Sequence, residues 1–267
     1  MASITNFTKD IIRNRRLILS LAWNDIKTKY AGSYFGVVWA FVQPIMSILV
    51  YWYVFQYGLK AMPVDDNVPF AIWFITGLIP WFYFSEALSS ATNSFYEYSY
   101  LVKKIVFKIS ILPLVKVISA IFIHIVFVGF LVIIFLLYGY KLNFYALQII
   151  YYSFCMSVLV TGLSFVTSAL MVFFKDLGQI ISIFLQLGMW TTPIMWSYKI
   201  VLPQYQWFID WNPMFYVVEG YRKSLIYHQS FFTQTTELQR FWLITGIVFL
   251  AGLIIFKRLK PHFSEVL

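Results

Sequence analysis

Charge is scarce in this chain. Asp, Glu, Lys and Arg make up 12% of its 267 residues, about half of the roughly 25% usual in soluble domains. With 61% hydrophobic residues and a mean hydropathy of +0.75, it carries more apolar surface than one soluble core can hide, and it reads as an integral membrane protein. Cysteine is almost absent as well: Cys155 stands alone in an apolar run, which excludes an internal disulfide. The sequence has no G-x-x-x-x-G-K-[ST] phosphate loop, no H-E-x-x-H metal pair and no His/Cys cluster with ligand spacing, so no local motif for nucleotide binding, metal binding or catalysis is present. Nor do the first thirty residues contain a compact apolar core followed by small residues; no cleavable signal peptide is expected, and the first span is its own insertion signal. The net charge of +9 sits mostly in cations beside apolar runs, which suits anionic lipid headgroups and argues against nucleic acid.

What is abundant is length of apolar chain and aromatic rings, the latter 21% of residues. Aromatic side chains favour membrane interfaces, or apolar channels where one edge stays wet. Hydropathy predicts six helical spans, near residues 34–57, 69–91, 111–137, 145–174, 177–197 and 241–256, long enough to cross about 30 Å of hydrocarbon. Lys and Arg concentrate in the segments that share a side with the N terminus, among them Arg13, Arg15, Arg16, Lys103, Lys104, Lys108, Lys257 and Arg258. Both termini are therefore expected in the cytoplasm. The predicted fold is an all-α membrane domain over residues 1–267: an N-terminal amphipathic interfacial helix over 1–32, a six-span core over 34–256 and a cytoplasmic tail over 257–267.

Phe7, Ile11, Ile18, Ala22 and Ile26 recur at helical spacing, with Lys9, Arg13, Arg16, Lys27 and Lys29 largely elsewhere around the wheel. Such a helix lies in the interface, as a simple anchor or as a docking surface for a partner. A second amphipathic stretch, residues 93–110, sets Glu97, Lys103, Lys104 and Lys108 around Leu101, Val102, Ile105 and Val106, and predicts a short interfacial or docking helix. Three spans carry polar or small faces. Gln43, Ser47 and Tyr51 mark the first and Ser153, Ser157, Thr161, Ser164 and Ser168 the fourth; Gln179, Ser182, Gln186 and Trp190 mark the fifth, followed by Pro193 and Ser197. Close helix packing explains such faces in general and is the reading for the fourth span; paired glutamines with a tryptophan point instead to a hydrated path along the fifth. Tyr51, Trp190 and Trp196 are the rings placed to line it.

Glu86 and Lys116 fall inside the second and third spans, at depths matching to within about one helical turn. An intramembrane pair between them is expected, because isolated charges there are costly. His124, deeper in the third span, reads as a hydrogen-bonded packing residue. Between the fifth and sixth spans, residues 198–240 are too apolar for an ordinary loop, and Pro203 and Pro213 interrupt them. Two short re-entrant half-helices are predicted there, the second capped by Asn212 and starting at Pro213. Near its end Arg222 either attracts an acidic ligand or pairs with Glu219 three residues earlier.

These motifs together resemble those of ABC-2 type permeases that export lipid-linked polysaccharides. The resemblance runs through Asp25-Ile26-Lys27-Thr28-Lys29-Tyr30, then Ser33, Gly36, Trp39, Gln43 and Pro44. It continues at Asn93-Ser94, Leu101-Val102-Lys103-Lys104, Leu112-Pro113-Leu114 and Phe174-Lys175-Asp176-Leu177, and then at Gln186, Thr192-Pro193-Ile194, Asn212-Pro213-Met214 and Glu219-Gly220-Tyr221-Arg222. It covers nearly the whole chain, with Asn24, Lys29 and Lys175 standing where the family pattern has Arg, and Phe107-Lys108-Ile109-Ser110 replacing a Phe-Pro-x-Glu. The resemblance implies the membrane half of a bacterial inner-membrane exporter. Two copies would pair with two copies of a separate ATPase, which holds ATP and Mg²⁺, and would move an undecaprenyl-diphosphate-linked glycan outward. O-antigen and wall teichoic acid exporters look most similar. No cofactor is expected on this chain. Residues implied in ATPase coupling are Asp25, Lys27, Lys29, Tyr98, Leu101, Lys103, Lys104, Lys108, Lys175 and Asp176, and the glycan path follows the polar faces above. A polytopic glycosyl- or acyltransferase is the competing class, with Asp65, Asp66, Asp210, Glu219 and Glu237 as its scattered acids. A secondary transporter would require an internal repeat, and none is visible.

Overall fold

A computed structural model describes residues 11–60, 68–102, 108–233 and 235–266. The chain is helical, with no strand among the described residues. Helix α1 (Arg15–Lys29) leads through a glycine-bearing turn into α2 (Trp39–Tyr53). Gly32 and Gly36 both have positive φ, +84° and +52°, and a Cβ at either position would meet nothing within 4 Å. The turn thus needs glycine for its backbone conformation and not for space.

Among the described residues, five helical stretches are long and apolar enough to cross a membrane: Gly36–Gly58, Phe70–Thr92, Ile109–Leu137, Phe144–Met171 and Thr235–His262. Their principal helices are α2, α3 (Phe70–Thr92), α6 (Leu112–Leu137), α7 (Gln148–Met171) and α11 (Thr235–Leu259). Between α3 and α6 lie two single turns, α4 (Ser94–Glu97) and α5 (Ser99–Val102). The fifth stretch expected from hydropathy is shorter than predicted. Its helix, α8, is Leu177–Thr191, 15 residues, or about 22 Å at the helical rise. Thr192 before Pro193 takes extended backbone (φ −80°, ψ 129°), as a residue preceding proline is pushed to do.

Helix α3 is the centre of the bundle, with residues of every face buried. It packs on α6, α7, α8 and α10 (Pro213–Leu225). The main core joins Phe74, Leu78, Trp81 and Leu88 of α3 to Phe127 and Leu131 of α6, Tyr152 and Leu159 of α7, and Val217 and Tyr221 of α10. The small face of α7 serves packing, as expected: Ser164 and Ser168 are fully buried and Thr167 bonds Thr92 at 2.8 Å. Close approach of α7 and α11 rests on two glycines. A Cβ on Gly162 would stand 2.9 Å from Phe249 Cα, and one on Gly252 would stand 2.5 Å from the Gly162 carbonyl oxygen. Small residues of this kind let membrane helices touch backbone to backbone.

Residues 198–234 are where the expected half-helices fall. The first is a helix of only five residues, α9 (Gln206–Asp210). The second begins at Pro213, where the capping argument puts it: the Asn212 Oδ1 accepts the Met214 N–H at 3.0 Å. Eleven of the 13 residues of α10 are buried, packed against α3, α7 and α11.

Candidate functional site

On the side of the molecule where α1 lies, three separate pieces of chain meet at one cation. Helix α1 buries Ile18 and Ala22 against Ile111 and Val115 at the start of α6, which brings Asp25, one turn further along α1, over the first turns of α6. Lys116 of α6 then donates to Asp25 Oδ1 at 2.6 Å and also to Glu97 of α4. The Tyr98 hydroxyl donates to the same Asp25 oxygen at 2.8 Å, and the ammonium lies 5.1 Å from the Tyr98 ring centroid. Lys116 is 4% exposed and Asp25 6%. The Tyr98 phenol is lifted well above its ordinary pKa, by burial first and then by its bond to Asp25, so it stays a donor.

Glu86 faces elsewhere. It pairs with Lys29 at the end of α1 and accepts from Ser90 at 2.7 Å. The pair expected between Glu86 and Lys116 is therefore not formed: each takes a different partner. Helical rise fixes depth but not direction around the helix axis, and α1, which supplies partners to both residues, could not be positioned from span depths alone. Burial by itself would lower the Lys29 pKa; the Glu86 carboxylate outweighs it and holds Lys29 above the ordinary lysine value.

Of the other residues expected on this side, Lys27, Lys108, Lys175 and Asp176 are exposed. Lys27 stands 5.6 Å over the Trp23 ring and Lys175 5.9 Å over the Tyr96 ring. Tyr96 also donates to the Val172 carbonyl at 3.4 Å, so residues 94–102 and the turn before α8 lie side by side. Lys103 and Lys104 fall outside the described residues, and Leu101 lies in α5. Asp25 differs in kind from the rest of this set, because it is a buried tie.

The expected path residues lie on α2 and α8 and beyond. Gln43, Gln179, Ser182, Gln186 and Trp190 are exposed; among α8 residues only Leu185 is buried. Ser47 is half-buried, and Tyr51 rests edge-on to Phe74 at 6.5 Å. Beyond α8, the Trp196 indole N–H donates to the Trp190 carbonyl at 2.9 Å. Trp190, Trp196, Tyr205, Trp207 and Phe208 line one side of an aromatic cavity of about 490 Å³.

Arg222 settles on its structural alternative. It is fully buried, donates to Glu219 at 2.6 Å and to the carbonyls of Pro193 at 2.7 Å, Ile194 at 2.8 Å and Trp73 at 3.3 Å, and stacks 3.4 Å above the Trp73 ring. Its planar fork satisfies the carbonyls left open by the extended backbone after α8. Asn212 adds a second tie to that segment, donating to Thr192 Oγ1 at 2.9 Å. Asp210 pairs with Arg240 and Glu237 with Lys223, so with Glu219 these three acids are each engaged by a cation.

A polar cluster deep in the bundle gathers around His124 of α6 and includes Ser153 and Ser157 from the small face of α7. His124 Nε2 contacts the Tyr221 hydroxyl at 2.9 Å and Ser153 at 3.2 Å, while Tyr83 contacts Ser157 at 2.9 Å and stacks on His124 at 4.8 Å. The members come from four helices, so no spacing in the sequence links them.

The sequence profile of the ABC-2 type transporter family matches residues 16–226. Two proteins of Klebsiella pneumoniae named O-antigen export system permease protein RfbA are 27% and 26% identical to this chain over 254 and 261 residues, each match covering 94% of this chain and 95% of the relative. A Myxococcus xanthus protein of the same name is 22% identical over 260 residues, covering 96% of this chain and 97% of its own length. A profile spanning that much of the chain, over a range that contains the motif series from Asp25 to Arg222, places the chain in the ABC-2 type transporter family of membrane permeases.

Proposed function

We propose that this chain is the membrane subunit of a polysaccharide exporter. Two copies, paired with two copies of a separate ATPase subunit that holds ATP and Mg²⁺, move an undecaprenyl-diphosphate-linked glycan outward across a bacterial inner membrane, O-antigen first among the candidates and teichoic acid next. Both termini are cytoplasmic, and α8 with the residues after it makes a sixth crossing. The α10 element is then the re-entrant half-helix over the exit.

The observation that carries this reading is the uncovered face of α8. Gln179, Ser182 and Gln186 are exposed in the single chain, yet amide and hydroxyl groups are costly against hydrocarbon and normally face protein or water. Helix α2 repeats the pattern at Gln43. A second copy opposite α2 and α8 encloses these groups in a hydrated path, with Trp190, Trp196 and the neighbouring rings offering flat faces on which sugars stack and slide. The names of the relatives support the cargo. The exposed cations beside residues 94–102 and the turn before α8 supply a surface for the ATPase.

Deleting the protein and following the lipid-linked glycan tests the whole reading. Glycan is expected to accumulate on its carrier inside the cells, and a copy of the gene should restore export. In parallel, single cysteines replacing Gln43 and Gln186, in a Cys155→Ser background, should cross-link between copies in membranes. Normal surface glycan in the deletion strain would sink the proposed cargo, and absent cross-links would sink the two-copy path.

A further inference from the structure

A cavity of about 570 Å³ opens between α2, α3 and α6, within the roughly 300–1,000 Å³ range of small-molecule and cofactor sites. Its lining changes character along its length. Lys29 and Glu86, both part-exposed, mark the open end. Ile79, Ile123 and Phe127 give it apolar walls, and His124, 4% exposed, marks the closed end. The Nδ1 of His124 is buried and makes no hydrogen bond, whereas Nε2 is engaged by Tyr221 and Ser153. In either tautomer Nδ1 is left a buried polar atom with no partner. Buried polar atoms left in this condition are rare.

We propose that this cavity holds one glycerophospholipid with a primary-amine headgroup, phosphatidylethanolamine being the type, drawn from the leaflet that α1 faces. Charge selects it. Lys29 and Glu86 neutralise each other, so a zwitterion can exchange into the pair at no net cost in charge, its phosphate taking Lys29 and its ammonium donating to Glu86. An anionic headgroup leaves Glu86 opposed, and a choline headgroup has no N–H to give it. A polyprenyl diphosphate requires more positive charge than one lysine already facing a carboxylate. The acyl chains continue along the apolar walls of Ile79, Ile123 and Phe127.

Gln43 and Ser47, which the export reading puts on the glycan path, also line this cavity. Native mass spectrometry of the full-length protein, purified from membranes and titrated with phosphatidylethanolamine, phosphatidylglycerol and phosphatidylcholine, tests the lipid without any ATPase or glycan, so its failure is distinguishable from a failure of the export reading. The wild-type chain should retain the ethanolamine lipid over the other two by about tenfold, the worth of one charge-assisted hydrogen bond. Glu86→Gln should lose its preference over phosphatidylcholine. Equal retention of the three lipids by wild-type protein would overturn the proposal even if the variant failed to fold. So would an undiminished preference in Glu86→Gln, or displacement of the bound lipid by stoichiometric undecaprenyl diphosphate.

Discussion

Lys116 and Asp25 are separated by 91 positions in the chain and by 2.6 Å in space, and both are almost wholly buried. Because Lys116 also holds Glu97, one ammonium joins α1, the segment after α3 and the start of α6.

The first prediction follows from that pair. Lys116→Met should destabilise the protein by about 3–5 kcal/mol, the usual loss when one member of a buried ion pair is removed and the other is left uncompensated. Asp25→Asn combined with Lys116→Met should cost clearly less than the two single changes added together, since the partners touch. Thermal melting in mild detergent measures all three, and strict additivity would refute the contact.

Arg222→Lys is expected to be nearly as damaging as Arg222→Met. A single ammonium cannot reach the carbonyls of Pro193, Ile194 and Trp73 while also pairing with Glu219 and lying flat on the Trp73 ring. Orphaned buried acceptors cost about 1–3 kcal/mol each, so poor folding yield of both variants is the expected result. A lysine variant melting within a degree of wild type would contradict the bonding described.

Glycine packing makes a sharper structural test. Gly252→Val should separate α7 from α11 and cost at least the ~1–3 kcal/mol typical of overpacking, because its Cβ meets the Gly162 carbonyl at 2.5 Å. Gly246→Ala, on the same helix with nothing within 4 Å, is the control and should melt like wild type. Equal tolerance of the two would show that α7 and α11 do not approach as described.

A functional prediction concerns coupling. Reversing Lys103 and Lys104 to Glu should uncouple ATP hydrolysis from export while leaving the protein in the membrane at normal abundance. Export measured in a deletion background decides it, and unchanged export by the double variant would remove residues 94–108 from the coupling surface.

Local features of the sequence carried local structure well. Long apolar runs located the five helices that are long and apolar enough to cross a membrane among the described residues, and Asn212 with Pro213 located the start of α10, because hydropathy and capping act over a few residues. The shortening of α8 was missed since a hydropathy window does not register that Thr192 before Pro193 leaves the helix. Partners across the bundle were legible only as depths. Glu86 and Lys116 lie in α3 and α6 as expected, but each charge chose among neighbours by its direction around the axis, and α1 brought Lys29 to one and Asp25 to the other. The cluster of His124, Tyr221, Ser153 and Tyr83 needs four helices assembled before it exists.

The turn at Gly32 and Gly36 separates two kinds of connectivity. Helix α1 runs covalently into α2, but its side chains grip α6, through the apolar contacts of Ile18 and Ala22 and through Asp25. The intervening glycines adopt positive φ with open space around them. The side-chain ties of α1 therefore run to α6 and, through Lys29 and Glu86, to α3, whereas its covalent neighbour α2 is reached through backbone that only glycine adopts without strain.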